Sequence, residues 1–161
     1  MGFWGSLVLA QPATTLAEHP LITALGGDVD LSTGLPGGWQ AVMIHAADFD
    51  ATSLVLPRLV DATARAAMVA IVADSDFAHV RALAPDGSSW EGVINSECAA
   101  GYGLPVDSLS LADAPEAALG WAAAAGIAVS DPAGVAIALK NEHTFAEEGV
   151  LELAKALGAW S

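Results

Sequence analysis

Cations are scarce in this chain. Of 161 residues only Arg58, Arg65, Arg81, Lys140 and Lys155 are basic, against 19 acidic ones, and the formal net charge is −14. Gripping a nucleic-acid backbone takes clustered Lys and Arg that displace condensed counterions. Five scattered cations do not provide that, which argues against direct nucleic-acid binding and against docking on an anionic membrane. Cysteine is nearly absent as well: Cys98 stands alone, so no intramolecular disulfide can form. No apolar run approaches the roughly 18 residues of a membrane span. The opening segment, MGFWGSLVLAQPA, carries no basic residue ahead of its apolar stretch. That argues against a signal peptide and for a first strand, and the expected location is cytoplasmic. The chain also lacks a G-K-[ST] phosphate loop and a G-x-S-x-G nucleophile elbow. Gly37-Gly38 precede a strand, the reverse of the order a phosphate loop needs.

What is present is an apolar fraction of 54%, much of it alanine. The Ala- and Gly-rich composition is bacterial in character. The length suits one domain, 1–161, with a real core. An acidic excess of this size maintains solubility. It also favours a basic protein partner, with fast and salt-sensitive association.

The stretch 68–95 organises the rest. Met68–Ala73 is a short β-branched run that reads as a buried strand. A second run, Phe77–Leu83, places Phe77, His79, Arg81 and Leu83 on one face and Ala78, Val80 and Ala82 on the other. Pro85-Asp86-Gly87 is a strong turn signal, and Trp90–Ile94 is the return strand. Between the first two runs, Asp74-Ser75-Asp76 fits either a tight turn or a bulge in one bent strand. The bulge is the preferred reading.

Elsewhere, residues 2–10 and 39–46 alternate as strands. Residues 14–25 read as helix interrupted by Pro20. Residues 26–38, rich in Gly, Asp, Ser, Thr and Pro, read as a loop. Pro57 belongs in a first helical turn, which predicts a helix beginning at Ser53 or later. Short helices follow over 96–102 and from Asp113 to Gly126. Asp131-Pro132 opens a segment to Lys140 in which the cap favours helix over the strand-like alternation of Val135, Ile137 and Leu139. The last helix has a capping box at Thr144–Glu147, a stripe of Val150, Leu153, Ala154 and Leu157, and Gly158 as its stop. The fold expected is α+β: an antiparallel sheet of about four strands, with helices packed on one face.

Two residue sets carry functional expectations. The tryptophans come first, because exposed indoles mark interfaces. Trp39, Trp90 and Trp160 fall on or beside proposed elements, with Trp160 the one most exposed, and Asp74 and Asp76 add charge. Together these five are the partner-binding candidates. The second set is His45, Asp48, Asp50, Asp74, Asp76 and His79. If their strands are neighbours, carboxylates and imidazoles converge at one end of the sheet, where they would hold a divalent ion or share acid–base work. The apolar strand followed by Asp74-x-Asp76 resembles, over those few residues, phosphoryl-transfer sites built on an aspartate pair. Such sites need a nearby cation, and Arg81 is the nearest. The structural reading of the same acids is that Asp48 and Asp50 cap a helix while Asp74 and Asp76 shape a bulge. Cys98 reads as a small core residue, or as a nucleophile near a helix N-terminus.

The leading expectation is therefore a non-enzymatic acidic module without a cofactor, such as an immunity protein or a small chaperone for a basic partner. The alternatives are a metal-dependent hydrolase using the Asp/His set, and a homo-oligomer, in its simplest form a homodimer, that pairs an uncovered sheet face with itself.

Overall fold

The computed structural model describes residues 2–160. Its strands are β1 (Gly5–Ala10), β2 (Asp28–Gly34), β3 (Gln40–His45), β4 (Ala67–Ala73), β5 (Phe77–Leu83) and β6 (Ser89–Ile94). Its α-helices are α1 (Pro20–Thr23), α2 (Phe49–Thr63), α3 (Ser96–Gly101), α4 (Ala114–Ala124), α5 (Pro132–Lys140) and α6 (Ala146–Leu157). The strands form one sheet in the order β2-β3-β1-β4-β5-β6, and each neighbouring pair is antiparallel. The class is α+β, with six strands where about four were expected.

β1 lies at the centre. Its side chains alternate, with Leu7 and Leu9 facing one core and Val8 and Ala10 the other. The same two-residue period sends Met68, Ala70, Val72, Ala78 and Val80 toward α4, α5 and α6. It sends Val42, Ile44, Ala67 and Val69 toward α1 and α2. Helices therefore cover both faces, which corrects the expectation of one. The bare face on which a self-paired homodimer would rest is occupied by α1 and α2. β3 and β4 run in the same direction, and α2 crosses between them, but β1 fills the gap.

Four local expectations are corrected. Residues 26–38 hold the edge strand β2, whose side chains are largely exposed. Little burial is available at such an edge, so its composition looks like a loop. Asp28 and Asp30 and a bulge between Val29 and Leu31 blunt it against further pairing. Asp74-Ser75-Asp76 is a turn and not a bulge: Asp74 and Ser75 have φ of 52° and 58°, and the Asp76 N–H donates to the Ala73 carbonyl at 2.9 Å. Positive φ at both central residues gives the twist that a tight hairpin needs.

The third correction concerns α2, which begins at Phe49 and carries Pro57 inside it. Proline removes the N–H that the Ser53 carbonyl would receive. Arg81 Nη1 on β5 reaches that carbonyl instead, at 3.4 Å. The fourth is the capping box at Thr144. The first position outside α6 is Phe145, with no side-chain cap. The free Ala146 N–H is met by the Ser75 carbonyl at 2.7 Å, and Glu147 Oε1 accepts from Ser75 Oγ at 2.9 Å. A long-range partner has displaced the local one. The apolar stripe on α6 is as expected: Val150, Leu153, Ala154 and Leu157 are fully buried, and Gly158 closes the helix at φ 93°.

Among the described residues, no helix is long and apolar enough to cross a membrane.

Candidate functional site

One end of the sheet gathers most of the polar chemistry. The cross-sheet register sets His45 opposite Gly5, Gly5 opposite Val72, and Ala78 opposite Ile94. Everything that follows these positions projects from the same rim: the 46–50 connection, the β4–β5 turn, Asn95 and α3.

Asn95 fastens this rim together. It is buried and sits at φ 57°, a left-handed conformation that Asn tolerates better than most residues. Its Nδ2 donates to the Asp76 and His143 carbonyls, each at 2.8 Å. Its Oδ1 accepts from the His143 N–H at 2.8 Å. One amide thus ties β6, the β4–β5 turn and the approach to α6. On the other side of the turn, Gly2 N–H donates to Asp74 Oδ1 and Phe3 N–H to Ser75 Oγ, each at 2.7 Å. A Cβ on Gly2 would run into the Asp74 carbonyl, so this close approach requires glycine.

The candidate aspartates are thereby engaged in structure. Asp74 holds the N-terminal segment. Asp76 Oδ2 accepts from Tyr102 Oη at 2.7 Å. This bond, followed by desolvation and the charges of Asp76 and Asp74, pushes the Tyr102 pKa up to about 12. Asp48 caps α2, with Oδ1 accepting from the Ala51 N–H at 2.8 Å, and Asp50 lies in the first turn. There both carboxylates favour the positive end of the helix dipole.

The Asp/His set does not assemble as the metal reading requires. β1 separates β3 from β4, so the two strands are not neighbours. His45 packs against Phe3, with ring centroids 5.9 Å apart. His79 lies along β5, with Nε2 2.8 Å from Glu91 Oε2. Among the described residues, no three His, Cys, Asp or Glu side chains are grouped so as to hold a metal ion.

The tryptophan candidates also fall elsewhere. Trp39 and Trp90 are only 3% and 5% exposed and belong to the core rather than the surface. They flank Trp121, at centroid distances of 6.1 and 6.5 Å. Trp160 is half-buried against the same core. The exposed indole is Trp4, at 40%. It precedes β1 on the α2 side of the sheet. Phe49 lies beside it, nearly parallel, with centroids 6.3 Å apart and an angle of 17°. Tyr102, at the end of α3, meets it edge-on at 6.3 Å and is 49% exposed. Phe77 backs Tyr102 at 5.2 Å.

A recess of about 380 Å³ opens there, lined by Trp4, Ala46, Ala47, Asp48, Phe49 and Asp50. Ser6 Oγ lies 2.8 Å from Thr52 Oγ1 in the buried layer below it. Thr52 donates its own proton to the Asp48 carbonyl at 2.7 Å, which makes Ser6 the donor to Thr52. That chain fixes β1 to the first turn of α2 and holds Trp4 and Phe49 in their relative positions.

Cys98 is exposed on α3, not in the core. It lies one helical turn before Tyr102, on the flank of the aromatic patch.

Trp4 sits within an alternating apolar run, where an indole reads as core, and no local signal in the sequence sets it apart.

No protein-family model matches the chain, and neither a curated protein nor a solved structure matches it.

Proposed function

We propose that the chain is a non-enzymatic, single-domain cytoplasmic module that binds a basic protein, in the manner of an immunity protein or a small chaperone, and that the Trp4–Phe49–Tyr102 rim is its contact face. One observation carries this reading. The most exposed tryptophan of the described chain sits in an aromatic cluster bordered by Asp48, Asp50 and Asp76. Rigid aromatic rings supply much of the binding energy at protein interfaces, and surrounding charge sets association rate and partner choice. The net charge of −14 points in the same direction.

The test is capture from a lysate of the organism of origin, with the wild-type chain and Trp4→Ala immobilised side by side at low and high salt. The expected result is a basic protein that wild type retains at low salt, that high salt releases, and that Trp4→Ala fails to retain. No captured protein, or one held equally by both chains or indifferent to salt, refutes the proposal.

A further inference from the structure

The recess beside Trp4 has a composition that specifies more than a basic partner. Two of its walls are aromatic, Trp4 and Phe49, and two are carboxylates, Asp48 and Asp50. No Lys or Arg of the chain lines it. Among the described residues, the ion pairs formed are those of His79 with Glu91 and His143 with Glu152. No cationic side chain therefore pairs with the carboxylates at the recess, whose partner within the chain is the N-terminus of α2. Asp48 commits Oδ1 to the α2 cap, and among the described residues neither its Oδ2 nor the Asp50 side chain takes a hydrogen bond from the chain.

We infer that this recess seats a single arginine side chain of the basic partner. The inference rests on the proposed function above and narrows it to one chemical group. Trp4 and Phe49 lie within 17° of parallel, so their π faces share an orientation. A planar, weakly hydrated guanidinium stacks on such a surface and still directs N–H groups in-plane toward carboxylates. A lysine ammonium is a compact, strongly hydrated point charge that gives up more water to enter and cannot stack. A volume of about 380 Å³ is at the lower end of ligand-pocket sizes, which suits one long side chain rather than a folded element. Charge complementarity selects the occupant, and ring orientation selects arginine among cations.

The test uses the full chain, ¹⁵N-labelled, titrated with a hexa-arginine peptide, with hexa-lysine and the neutral isostere hexa-citrulline as controls. The Trp4 indole N–H and the Ala46–Asp50 amides should shift most, with arginine binding more tightly than lysine and citrulline not binding. Trp4→Ala, and the doubly substituted Asp48→Asn/Asp50→Asn, should each weaken hexa-arginine binding on the order of tenfold, the size of one cation–π or charge-assisted contact. Trp4→Phe should retain most of the affinity. Asn keeps the α2 cap, and near-ultraviolet circular dichroism from the buried tryptophans verifies the fold of each variant. If arginine and lysine peptides bind equally, if shifts spread over acidic surface away from the recess, or if Trp4→Ala leaves affinity unchanged, the arginine site is refuted. A Trp4-dependent, salt-sensitive partner in the capture experiment would then still stand. If that capture fails while hexa-arginine binds here, the site stands without its assigned partner.

Discussion

The molecule contains two clusters of aromatic rings, and they do opposite things. Trp39, Trp90 and Trp121 meet edge and face inside the larger core, at centroid separations of 6.1 and 6.5 Å. Trp4, Phe49 and Tyr102 meet at similar distances on the rim, but there Trp4 and Tyr102 are exposed and carboxylates lie nearby. The buried cluster has alanine neighbours such as Ala118 and Ala122, so the large indoles supply volume that an alanine-rich core otherwise lacks. The rim cluster has no such layer above it. The comparison shows that ring-to-ring contact alone does not make a core. What separates the two is whether a helix closes over them: α4 and α5 do so on one side, while α2 begins at Phe49, level with Trp4, and leaves it open.

The largest effect that would break the comparison is the loss of a ring from each cluster. Trp121→Ala should destabilise by about 3–5 kcal/mol, the cost of deleting a fully buried aromatic side chain and leaving a cavity. Trp4→Ala should cost less, roughly 1–3 kcal/mol, because 40% of its surface is already in water. Urea denaturation of both variants measures the contrast, and equal losses would show that the rim cluster is a second core.

Asn95→Ala comes next. It strands one N–H and two carbonyls at a buried junction and places alanine at positive φ, so roughly 2–4 kcal/mol is expected. Hydrogen exchange should show the β4–β5 turn and the start of α6 losing protection together. Protection unchanged at Ala146 would mean that the junction holds without the amide.

Thr52→Val is smaller, about 1–2 kcal/mol, since it leaves the Ser6 hydroxyl buried without an acceptor. Thr52→Ser should recover most of that loss. The same pair of variants tests whether β1 and α2 must be tied for the Trp4 recess to keep its shape. If Thr52→Val leaves the assigned Trp4 indole N–H resonance unchanged, they need not be.

The smallest effect is spectroscopic. Tyr102 is the only tyrosine, so tyrosinate absorbance reports it alone. Its midpoint should lie at about 12 and move back toward roughly 10 in Asp76→Asn. The sign follows from linkage: the unfolded chain releases this proton near 10 and the folded chain near 12. The contribution to stability is therefore fully present below about pH 10 and lost as pH rises through 12. An unshifted midpoint in wild type would show that the Tyr102–Asp76 bond is absent in solution.

Much of the fold could be read locally. The face assignments along β1, β3 and β5 follow from the two-residue period of an extended backbone, and the α6 stripe follows from helical periodicity, because backbone geometry imposes those periods directly. The Asp131 cap was legible for the same reason: its side chain accepts from Gly134 N–H, three residues on. Where the reading went astray, the deciding partner lay far along the chain. Pro57 sits within α2 because Arg81 meets the carbonyl it frees. Thr144 is not a cap because Ser75 reaches Ala146 first. Asp74 and Ser75 adopt positive φ without glycine because Gly2, Phe3 and Glu147 hold their side chains.

The functional candidates divide along the same line. The acidity and the lack of cations were evident from composition. Which tryptophan faces water depends on which helix covers which strand, and that is fixed only by packing.

By itself, the sequence determined the charge of the surface, the class of the fold and which residues share a strand face, since these depend on residue type and on periods of a few positions. Only the tertiary structure decided that the sheet has six strands covered on both sides, that Asp74 and Asp76 serve as turn and tether, and that Trp4 rather than Trp39 or Trp90 stands at the surface. Those outcomes depend on contacts between residues some forty to seventy positions apart, and no local pattern encodes which of the available partners will meet.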